Sequence, residues 1–335
     1  MKKIILCIAT ALVAIGSFFG LRLLSHQKFR TFNPLQSSRL FIDPHSNAAM
    51  QASLLRQSLP QKASNMDKLA ILPTSKWLES AQSLAELPDY LSAAKSADAT
   101  ATLVVYDLPL RDCGNYSSGG AASAADYTHF TQVVASDIGN ATVIIILEPD
   151  ALAGLACAKD LKTYYALLNN AVRRFKALAH TTVYIDGGNS DWVKDTAVMA
   201  SRLRAAGIKN ADGFSLNVSN FQPTDESIVY GRAISSRLGG AHFVIDTSRN
   251  GLGAYIDKNY TDFEWCNPPG RALGHVPTPY TGNQVVDAFL YIKNPGESDG
   301  ADTDPKKCFE GPVAGTWWPD YAEGLLERWP QELKQ

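Results

Sequence analysis

The 335-residue sequence lacks several features that would assign it to a functional class at once. Its 31 basic and 33 acidic side chains give a formal charge of -2, so no basic excess indicates nucleic acid and no acidic tail indicates a basic partner. The six histidines are scattered, without an HExxH or HxH pattern, and no cysteine pair has zinc spacing, which argues against a histidine-built metal site. We expect no metal, no cofactor and no nucleic acid, and a neutral substrate fits this charge balance.

Two further motifs are missing. The chain has no GxSxG elbow of a serine hydrolase and no glycine-rich turn of a nucleotide-binding sheet, because Gly251 and Gly253 form only an isolated GxG. No internal repeat or interdomain linker divides the chain. An apolar content of 45% in a chain of this length suits one large domain, which we assign to residues 46–335, after an irregular leader at residues 25–45.

The chain begins with a short basic stretch and an apolar run, as an export signal does. Residues 1–24 are predicted to be a signal peptide or an uncleaved membrane anchor, because no clear cleavage site precedes Ser25 and the run approaches the roughly 20 residues that span a bilayer. The predicted location is secreted or periplasmic, with an inner-membrane tether if the segment is retained. Cys7 lies in this run, and the remaining four cysteines indicate two disulfides without selecting one of three pairings.

Beyond residue 46 the chain alternates strand-like and helix-like segments. The predicted strands are Leu69–Leu72, Thr102–Asp107, Thr142–Leu147, Thr182–Ile185, Gly213–Asn217, Phe243–Asp246 and Asp287–Ile292. The predicted helices are Leu78–Lys95, Asp126–Ile138, Leu161–Ala179, Val193–Ala206 and Ser227–Leu238. This alternation implies a parallel sheet, and the absence of a nucleotide turn favours a barrel over an open doubly wound sheet. Long loops at 247–283 and 293–320 are candidates for function.

Carboxylates follow two of the predicted strands, and the mouth of a parallel barrel is where catalytic acids are presented. Asp107 is interpreted as structural, since most aspartates at strand ends cap helices. Asp112, beside Arg111, suits either a structural role in its loop or chemistry. Asp150 follows Glu148 at the end of an apolar strand, where burial would raise its pKa toward the neutral form that a general acid needs. Its alternative role is to cap the following helix.

Clustered acids at a barrel mouth suggest cleavage of a glycosidic bond. That reaction needs an acid for the leaving oxygen and a second carboxylate that acts on water or on the sugar. Trp77, Trp192 and Trp265 lie in loops or just beyond predicted strands, and an indole face there can stack on a sugar ring. A single loop tryptophan is as often part of the core, but three near strand ends favour a carbohydrate site.

The segments Tyr106–Gly120, with LP, RDC and GG, and LEPDAL at 147–152 resemble the paired signatures of glycoside hydrolase family 6, the inverting cellulases. The similarity extends from about Phe41 to Trp329 and includes WCN at 265–267 and KNPGESDG at 293–300. This resemblance implies an α/β fold, a distorted seven-stranded parallel β/α barrel of TIM type. It also implies cleavage of β-1,4-glucan with inversion.

The resemblance assigns roles to matching positions. Asp150 matches the proton donor, Asp112 the acid that keeps the donor protonated and helps to position water, and Asp299 the proposed base, acting directly or through a water relay. Arg111 would orient Asp112, and Asp186 would support the acid cluster. The matched sugar-binding positions are Trp77, Glu79, Tyr106, Asn189, Trp192, Asn220, Trp265, Lys293 and Glu297. The implied disulfides are Cys113–Cys157 and Cys266–Cys308.

Three positions depart from the family's pattern. Asn189 stands where many members have His, Asp195 replaces a second platform tryptophan of tunnel-shaped members, and Ser298 stands where some relatives have Cys. Compact loops at 113–125 and 299–317 favour an open cleft, and therefore an endoglucanase over a cellobiohydrolase. The alternatives are a catalytically idle glucan-binding surface protein and a metal-dependent barrel hydrolase. We expect a monomer that acts on a β-1,4-glucan polysaccharide or oligosaccharide.

Overall fold

The computed structural model describes residues 32–257, 264–304 and 307–334. The predicted signal or anchor at 1–24 and the first part of the leader lie outside them. Seven parallel strands form one sheet in chain order: β1 (Lys76–Leu78), β2 (Ala101–Val105), β3 (Val143–Leu147), β4 (Thr181–Asp186), β5 (Gly213–Leu216), β6 (His242–Asp246) and β7 (Val286–Leu290). In this part of the chain β1 and β7 are the edges of the curled sheet, so the barrel is open between them. The predicted distorted seven-stranded parallel barrel is confirmed.

Helices follow most strands, and two precede the sheet. They are α1 (Asn47–Leu55), α2 (Pro60–Ala70), α3 (Ala81–Ala85), α4 (Leu87–Ser96), α5 (Ala124–Ile138), α6 (Leu161–Lys176), α7 (Thr196–Ala206), α8 (Thr224–Arg237) and α9 (Pro319–Glu327). Single 3₁₀ turns occur at Asp112–Gly114, Leu155–Cys157, Ile208–Asn210 and Gln331–Leu333. Within the described ranges, no helix combines the length and the apolar character needed to cross a membrane.

The sheet is buried on both faces. Every residue of β2 and β3 is buried. Successive side chains of a strand point to opposite faces, so Leu103 and Val105 pack in the layer between sheet and helices, whereas Val104 packs inside the barrel with Ile144 and Ile146. Burial on both faces explains why the β2 and β3 sequences, ATLVV and VIIIL, are continuously apolar and give the clearest strand signals.

Two predicted elements at the start of the barrel were wrong. Leu69–Leu72, predicted as a strand, spans the end of α2 and the turn after it, and the first strand is β1. A short apolar run alone does not distinguish a helix from a strand. The predicted helix Leu78–Lys95 begins on the last residue of β1 and is divided into α3 and α4, because Pro88 lies in the first turn of α4, where proline suits a helix start.

Sequence reasoning also missed α1, α2 and α9. These helices share a separate small core, to which α1 contributes Ala52, α2 contributes Met66 and α9 contributes Leu325. Each contributes only a narrow apolar face, and Leu325 of α9 lies 259 positions after Met66 of α2. The packing of α9 against α1 and α2 is therefore a tertiary feature.

Side chains cross the open seam between β1 and β7. The indole nitrogen of Trp77 donates a 2.8 Å hydrogen bond to the carbonyl oxygen of Ile292. The hydroxyl of Ser75 donates a 3.2 Å hydrogen bond to the backbone carbonyl oxygen of Tyr291. These bonds fix Trp77 at the rim beside the segment that follows β7.

Candidate active site

A cleft of about 1580 Å³ lies at the carboxyl ends of the strands. All of the predicted catalytic and sugar-binding side chains line it: Trp77, Glu79, Tyr106, Asp112, Asp150, Asn189, Trp192, Asn220, Trp265, Lys293, Glu297 and Asp299. Arg111 lines it as well, whereas Asp186 is fully buried beneath it. The fold thus brings together residues from seven separate segments of the sequence.

Asp150 lies on a strained turn directly after β3. Its φ is +67°, and that of Glu148 is +52°, so two non-glycine residues of one turn adopt the left-handed region. Such conformations cost of order 1 kcal/mol or more each and occur preferentially at functional sites. The turn is fastened from below, because the backbone amide of Asp150 donates a 3.0 Å hydrogen bond to Oδ2 of Asp186.

The surroundings of Asp150 favour its neutral form. Burial raises the pKa of this carboxyl well above its usual range, and the negative charges of Asp186, Asp112 and Asp299 raise it further. Lys293 acts in the opposite direction. A carboxyl kept protonated near neutral pH can donate a proton to a leaving oxygen.

Asp186 supports Asp150 from beneath the cleft. Its carboxylate accepts hydrogen bonds from the backbone amides of Asp150 and Gly188, each 3.0 Å long, and from the hydroxyl of Ser215 at 3.1 Å. Burial raises its pKa to about 6, although these three hydrogen bonds lower it. Asp186 therefore holds the backbone of the acid turn and adds negative charge behind it.

Asp112 lies in the loop after β2, and its backbone is also left-handed, with φ +54°. Its Oδ2 accepts a 2.8 Å hydrogen bond from the backbone amide of Ser117, and burial raises its pKa. Arg111 donates 2.8 Å hydrogen bonds to the carbonyl oxygens of Tyr106 and Ser117. The guanidinium thus fastens both ends of the loop that carries Asp112.

Two disulfides stabilise the loops of the cleft. Cys113 pairs with Cys157, which joins the loop after β2 to the loop after β3, and Cys266 pairs with Cys308. The structure thus forms both pairs that the resemblance implied. Closing loops of this size typically stabilises a domain by about 2–4 kcal/mol.

Asp299 is held by a residue that sequence reasoning missed. Arg249, which is 0% exposed, donates a 2.8 Å hydrogen bond from its guanidinium to Oδ2 of Asp299. The backbone amide of Asn267 donates a second bond to the same oxygen, at 3.1 Å. Arg249 follows β6 in the run DTSRN, so an arginine directly after a buried strand was the available signal. Its partner lies 50 residues further on, which no local pattern shows.

Glu148 is the second residue whose structural role sequence reasoning missed. Its buried carboxylate accepts hydrogen bonds from the backbone amides of Asp107 at 3.2 Å and Leu108 at 3.0 Å. Burial raises its pKa to about 8, and these bonds lower it. Glu148 therefore ties the end of β2 to the end of β3, and its position in the LEPD motif was the only signal for it.

The aromatic residues of the cleft differ in how they are held. Trp77 packs edge-on against Tyr106, with ring centroids 5.3 Å apart, and the ammonium of Lys293 lies 5.8 Å from the Trp77 ring centroid. Trp192 is 49% exposed, and the side chain of Asn189 accepts hydrogen bonds from the backbone amides of Asp191 and Trp192. The Trp192 face is therefore open to a ligand while its backbone is fixed.

The polar candidates sit in local hydrogen-bond networks. Glu297 accepts bonds from the side-chain amides of Asn294 at 2.9 Å and Asn47 at 3.2 Å. The carboxylate of Glu79 lies 3.8 Å from the Arg111 guanidinium. The side chain of Asn220 accepts a hydrogen bond from the backbone amide of Phe221. Over residues 32–257, 264–304 and 307–334, no group of three or more His, Cys, Asp or Glu side chains is arranged to hold a metal ion.

Each of the three residues that depart from the family's pattern has a structural role here. Asp195 caps α7, accepting from the backbone amides of Ala197 and Val198. Ser298 is buried and donates a 2.6 Å hydrogen bond to the carbonyl oxygen of Pro312. Asn189 fixes the backbone of the loop that bears Trp192.

A parallel barrel whose mouth combines clustered acids with exposed indole faces is typical of proteins that act on carbohydrates. The family model described as "Glycosyl hydrolases family 6" matches residues 35–329. The chain belongs to that family.

Similar proteins carry the names of glucanases. The chain is 41% identical over 297 residues to Endoglucanase A of Cellulomonas fimi, a match that covers 86% of this chain and 61% of that protein. It is 29% identical over 346 residues to Exoglucanase 3 of Agaricus bisporus, covering 88% of this chain and 78% of the relative. The chain thus spans about three fifths of the length of the Cellulomonas protein.

A solved structure is similar over nearly the whole domain. The endoglucanase Cel6 from Mycobacterium tuberculosis, in complex with methyl-cellobiosyl-4-deoxy-4-thio-β-D-cellobioside, superposes with a TM-score of 0.80 at 40% identity. The match covers 89% of this chain and 99% of that one.

Proposed function

We propose that this protein hydrolyses β-1,4-glucosidic bonds of cellulose or a related β-glucan with inversion of configuration. The observation that carries the proposal is the placement of Asp150, a carboxyl kept neutral by burial and by neighbouring acids, in a cleft lined by Trp77 and Trp192. Family membership supports it, as does the cello-oligosaccharide bound to the Mycobacterium relative.

The proposed reaction is a single displacement. Neutral Asp150 gives its proton to the glycosidic oxygen as the bond from that oxygen to the anomeric carbon breaks. A water molecule, positioned by Asp112, forms the new bond to that carbon from the opposite face and releases its proton to Asp299, directly or through a second water. The arrangement requires the acid and base carboxyls to stand roughly 6.5–9.5 Å apart, with room for the attacking water.

The mode of attack is proposed to be internal, as in an endoglucanase. The 40–41% identical relatives are named endoglucanases, and the exoglucanase relative is 29% identical. The compact loops 113–125 and 299–317 support the same conclusion, since a tunnel needs long loops above the cleft. The alternative is a cellobiohydrolase that releases cellobiose from chain ends.

The decisive experiment compares wild type with Asp150→Asn on carboxymethylcellulose. We expect wild type to release reducing sugar and the variant to lose at least about 10³-fold in kcat while still binding a thio-linked cello-oligosaccharide. The product should appear first as the α-anomer by NMR, and a β-anomer would contradict inversion. Binding without turnover by wild type would favour an idle glucan-binding protein, and inhibition by EDTA would favour a metal-dependent hydrolase.

Mode and location need separate measurements. An endo-acting enzyme lowers the viscosity of a soluble β-glucan before many reducing ends accumulate, whereas an exo-acting one does the reverse. We propose that the protein is exported and monomeric, and two disulfides suit an oxidising compartment. N-terminal sequencing of the exported protein would show whether residues 1–24 are cleaved or retained as a tether, and light scattering would give the oligomeric state.

A further inference from the structure

Tyr116 joins two loops that start from different strands. It lies in the loop after β2, and its hydroxyl donates a 2.8 Å hydrogen bond to Oδ2 of Asp302, in the segment after β7. The two residues are 186 positions apart, so this is a tertiary contact and not a local turn. The pKa of Asp302 is lowered by hydrogen bonds from the Asp304 amide and from Tyr116, and a bond to an ionised acceptor is stronger than a neutral one.

The ring of Tyr116 adds a second contact between the same loops. It lies so close to the backbone of Gly300 that a Cβ at position 300 would stand 2.5 Å from Cγ and 2.8 Å from Cδ2 of the tyrosine. The ring centroid is also 6.1 Å from that of Trp265. The tyrosine therefore meets the opposite loop through both its ring and its hydroxyl.

Both loops carry candidate catalytic carboxylates next to these contacts. Ser117, the residue after Tyr116, donates the backbone hydrogen bond that holds Asp112. Gly300, against which the ring packs, directly follows Asp299. A displacement of Tyr116 would therefore disturb Ser117, which donates to Asp112, and Gly300, which is bonded to Asp299.

The loop after β2 needs such a restraint. Asp112, Cys113 and Gly114 are consecutive residues with φ of +54°, +50° and +86°, a run that an unrestrained chain does not favour. The disulfide between Cys113 and Cys157 attaches this run to the loop after β3. The contacts of Tyr116 attach the same loop to the segment after β7.

We propose that Tyr116 is a positioning residue that holds the loop after β2 against the segment after Asp299. Through this contact, the latch, it keeps Asp112 and Asp299 in fixed relative positions across the bound glucan. The proposal rests on the proposed hydrolytic function for its kinetic consequences. Its structural consequence, a loop held closed by this contact, can be measured without any turnover.

The kinetic test uses Tyr116→Phe, Asp302→Ala and the double variant, with Tyr280→Phe as the control. Tyr280 is 71% exposed and lies outside the cleft lining. We expect each latch variant to lower kcat on soluble β-glucan about tenfold with KM within about twofold, and the double variant to be no worse than either single one. Additive losses in the double variant would show that the two side chains do not act as a pair.

A pH profile separates positioning from a loss of stability. The charged groups facing Asp150 are Asp186, Asp112, Asp299 and Lys293. Release of the latch would move Asp112 and Asp299, both of which raise the pKa of Asp150, so the alkaline limb of kcat should shift to lower pH. A variant that is merely less stable would keep the limb in place.

Hydrogen–deuterium exchange tests the latch directly. In Tyr116→Phe and Asp302→Ala we expect the peptide that covers residues 108–127 to exchange at least about fivefold faster than in wild type, with Tyr280→Phe unchanged. Gly300→Ala, which forces the ring away, should act in the same direction. Unchanged exchange in all three variants would overturn the proposal. Faster exchange together with an inactive wild type would support the latch and refute the proposed function.

Discussion

The two sides of the cleft present their candidate catalytic aspartates in opposite electrostatic surroundings. On the β2–β3 side, Asp150 faces the carboxyl groups of Asp112 and Asp186, and its pKa is raised by burial and by these neighbours. On the β6–β7 side, Asp299 accepts a hydrogen bond from the buried guanidinium of Arg249. Two chemically identical side chains thus stand in different surroundings, as the proposed roles of acid and base require.

The difference extends beyond these two residues. The β2–β3 side also holds Glu148 and Asp107, whose pKa values burial raises to about 8 and about 6. On the β6–β7 side, Lys293 donates to the carbonyl oxygen of Ser298 next to Asp299, so a second cation besides Arg249 lies close to that aspartate.

The largest expected effect is the loss of the buried ion pair. Arg249→Met would leave Asp299 buried without its guanidinium, which should lower the free energy of unfolding by about 3–5 kcal/mol in urea denaturation. Arg56→Met, which breaks the exposed pair with Asp67, is the control and should cost less than about 1 kcal/mol. Equal stabilities for Arg249→Met and wild type would contradict the contrast between the two sides.

Removal of each disulfide tests whether the loops on the two sides of the cleft are stabilised independently. Their sequence separations are 44 and 42, so loop closure alone predicts almost equal contributions, each about 2–4 kcal/mol. We expect the double serine variants of Cys113 with Cys157 and of Cys266 with Cys308 to lower the free energy of unfolding by similar amounts. A difference of more than about 2 kcal/mol would show that one loop is restrained mainly by other contacts.

Asp112→Asn tests the electrostatic support of the acid. Because the charge of Asp112 raises the pKa of Asp150, its removal should lower that pKa, so the acid loses its proton earlier and the alkaline limb of kcat moves to lower pH. We also expect kcat to fall about 10²-fold. Asp107→Asn is the comparison variant, and a limb that moves equally in both would show a general effect of charge.

The buried carboxyl of Glu148 predicts a slope of stability with pH. Glu148 has a pKa of about 8 in the fold against an ordinary value of 4.5, so between these values the folded state keeps a proton that the unfolded chain has released. Its stabilising contribution is complete below about pH 4.5 and is lost as pH rises toward 8, by up to about 1.4 kcal/mol per pH unit. Glu148→Gln should flatten this slope in urea denaturation at pH 5, 6.5 and 8, and an unchanged slope would assign it to other groups.

Sequence patterns predicted the barrel well where strands are buried on both faces, as in β2 and β3, because such strands are continuously apolar. They failed at Leu69–Leu72, where the same kind of apolar residue belongs to the last turn of a helix. They also missed α9, whose narrow apolar face is covered by α1 and α2 from the other end of the chain, together with Leu273 and Tyr291.

The candidate site shows the same division. The sequence by itself singled out Asp150 as a candidate acid and left Asp112 between a structural role and chemistry, because both belong to local motifs that follow a buried strand. Asp299 became a candidate only through the resemblance of its loop to the family's motif. Only the tertiary structure brought Arg249 to Asp299, Glu148 to the amides after β2, and Tyr116 to Asp302. These contacts join residues 40 or more positions apart, and burial and charge at such distances depend on how the whole barrel packs.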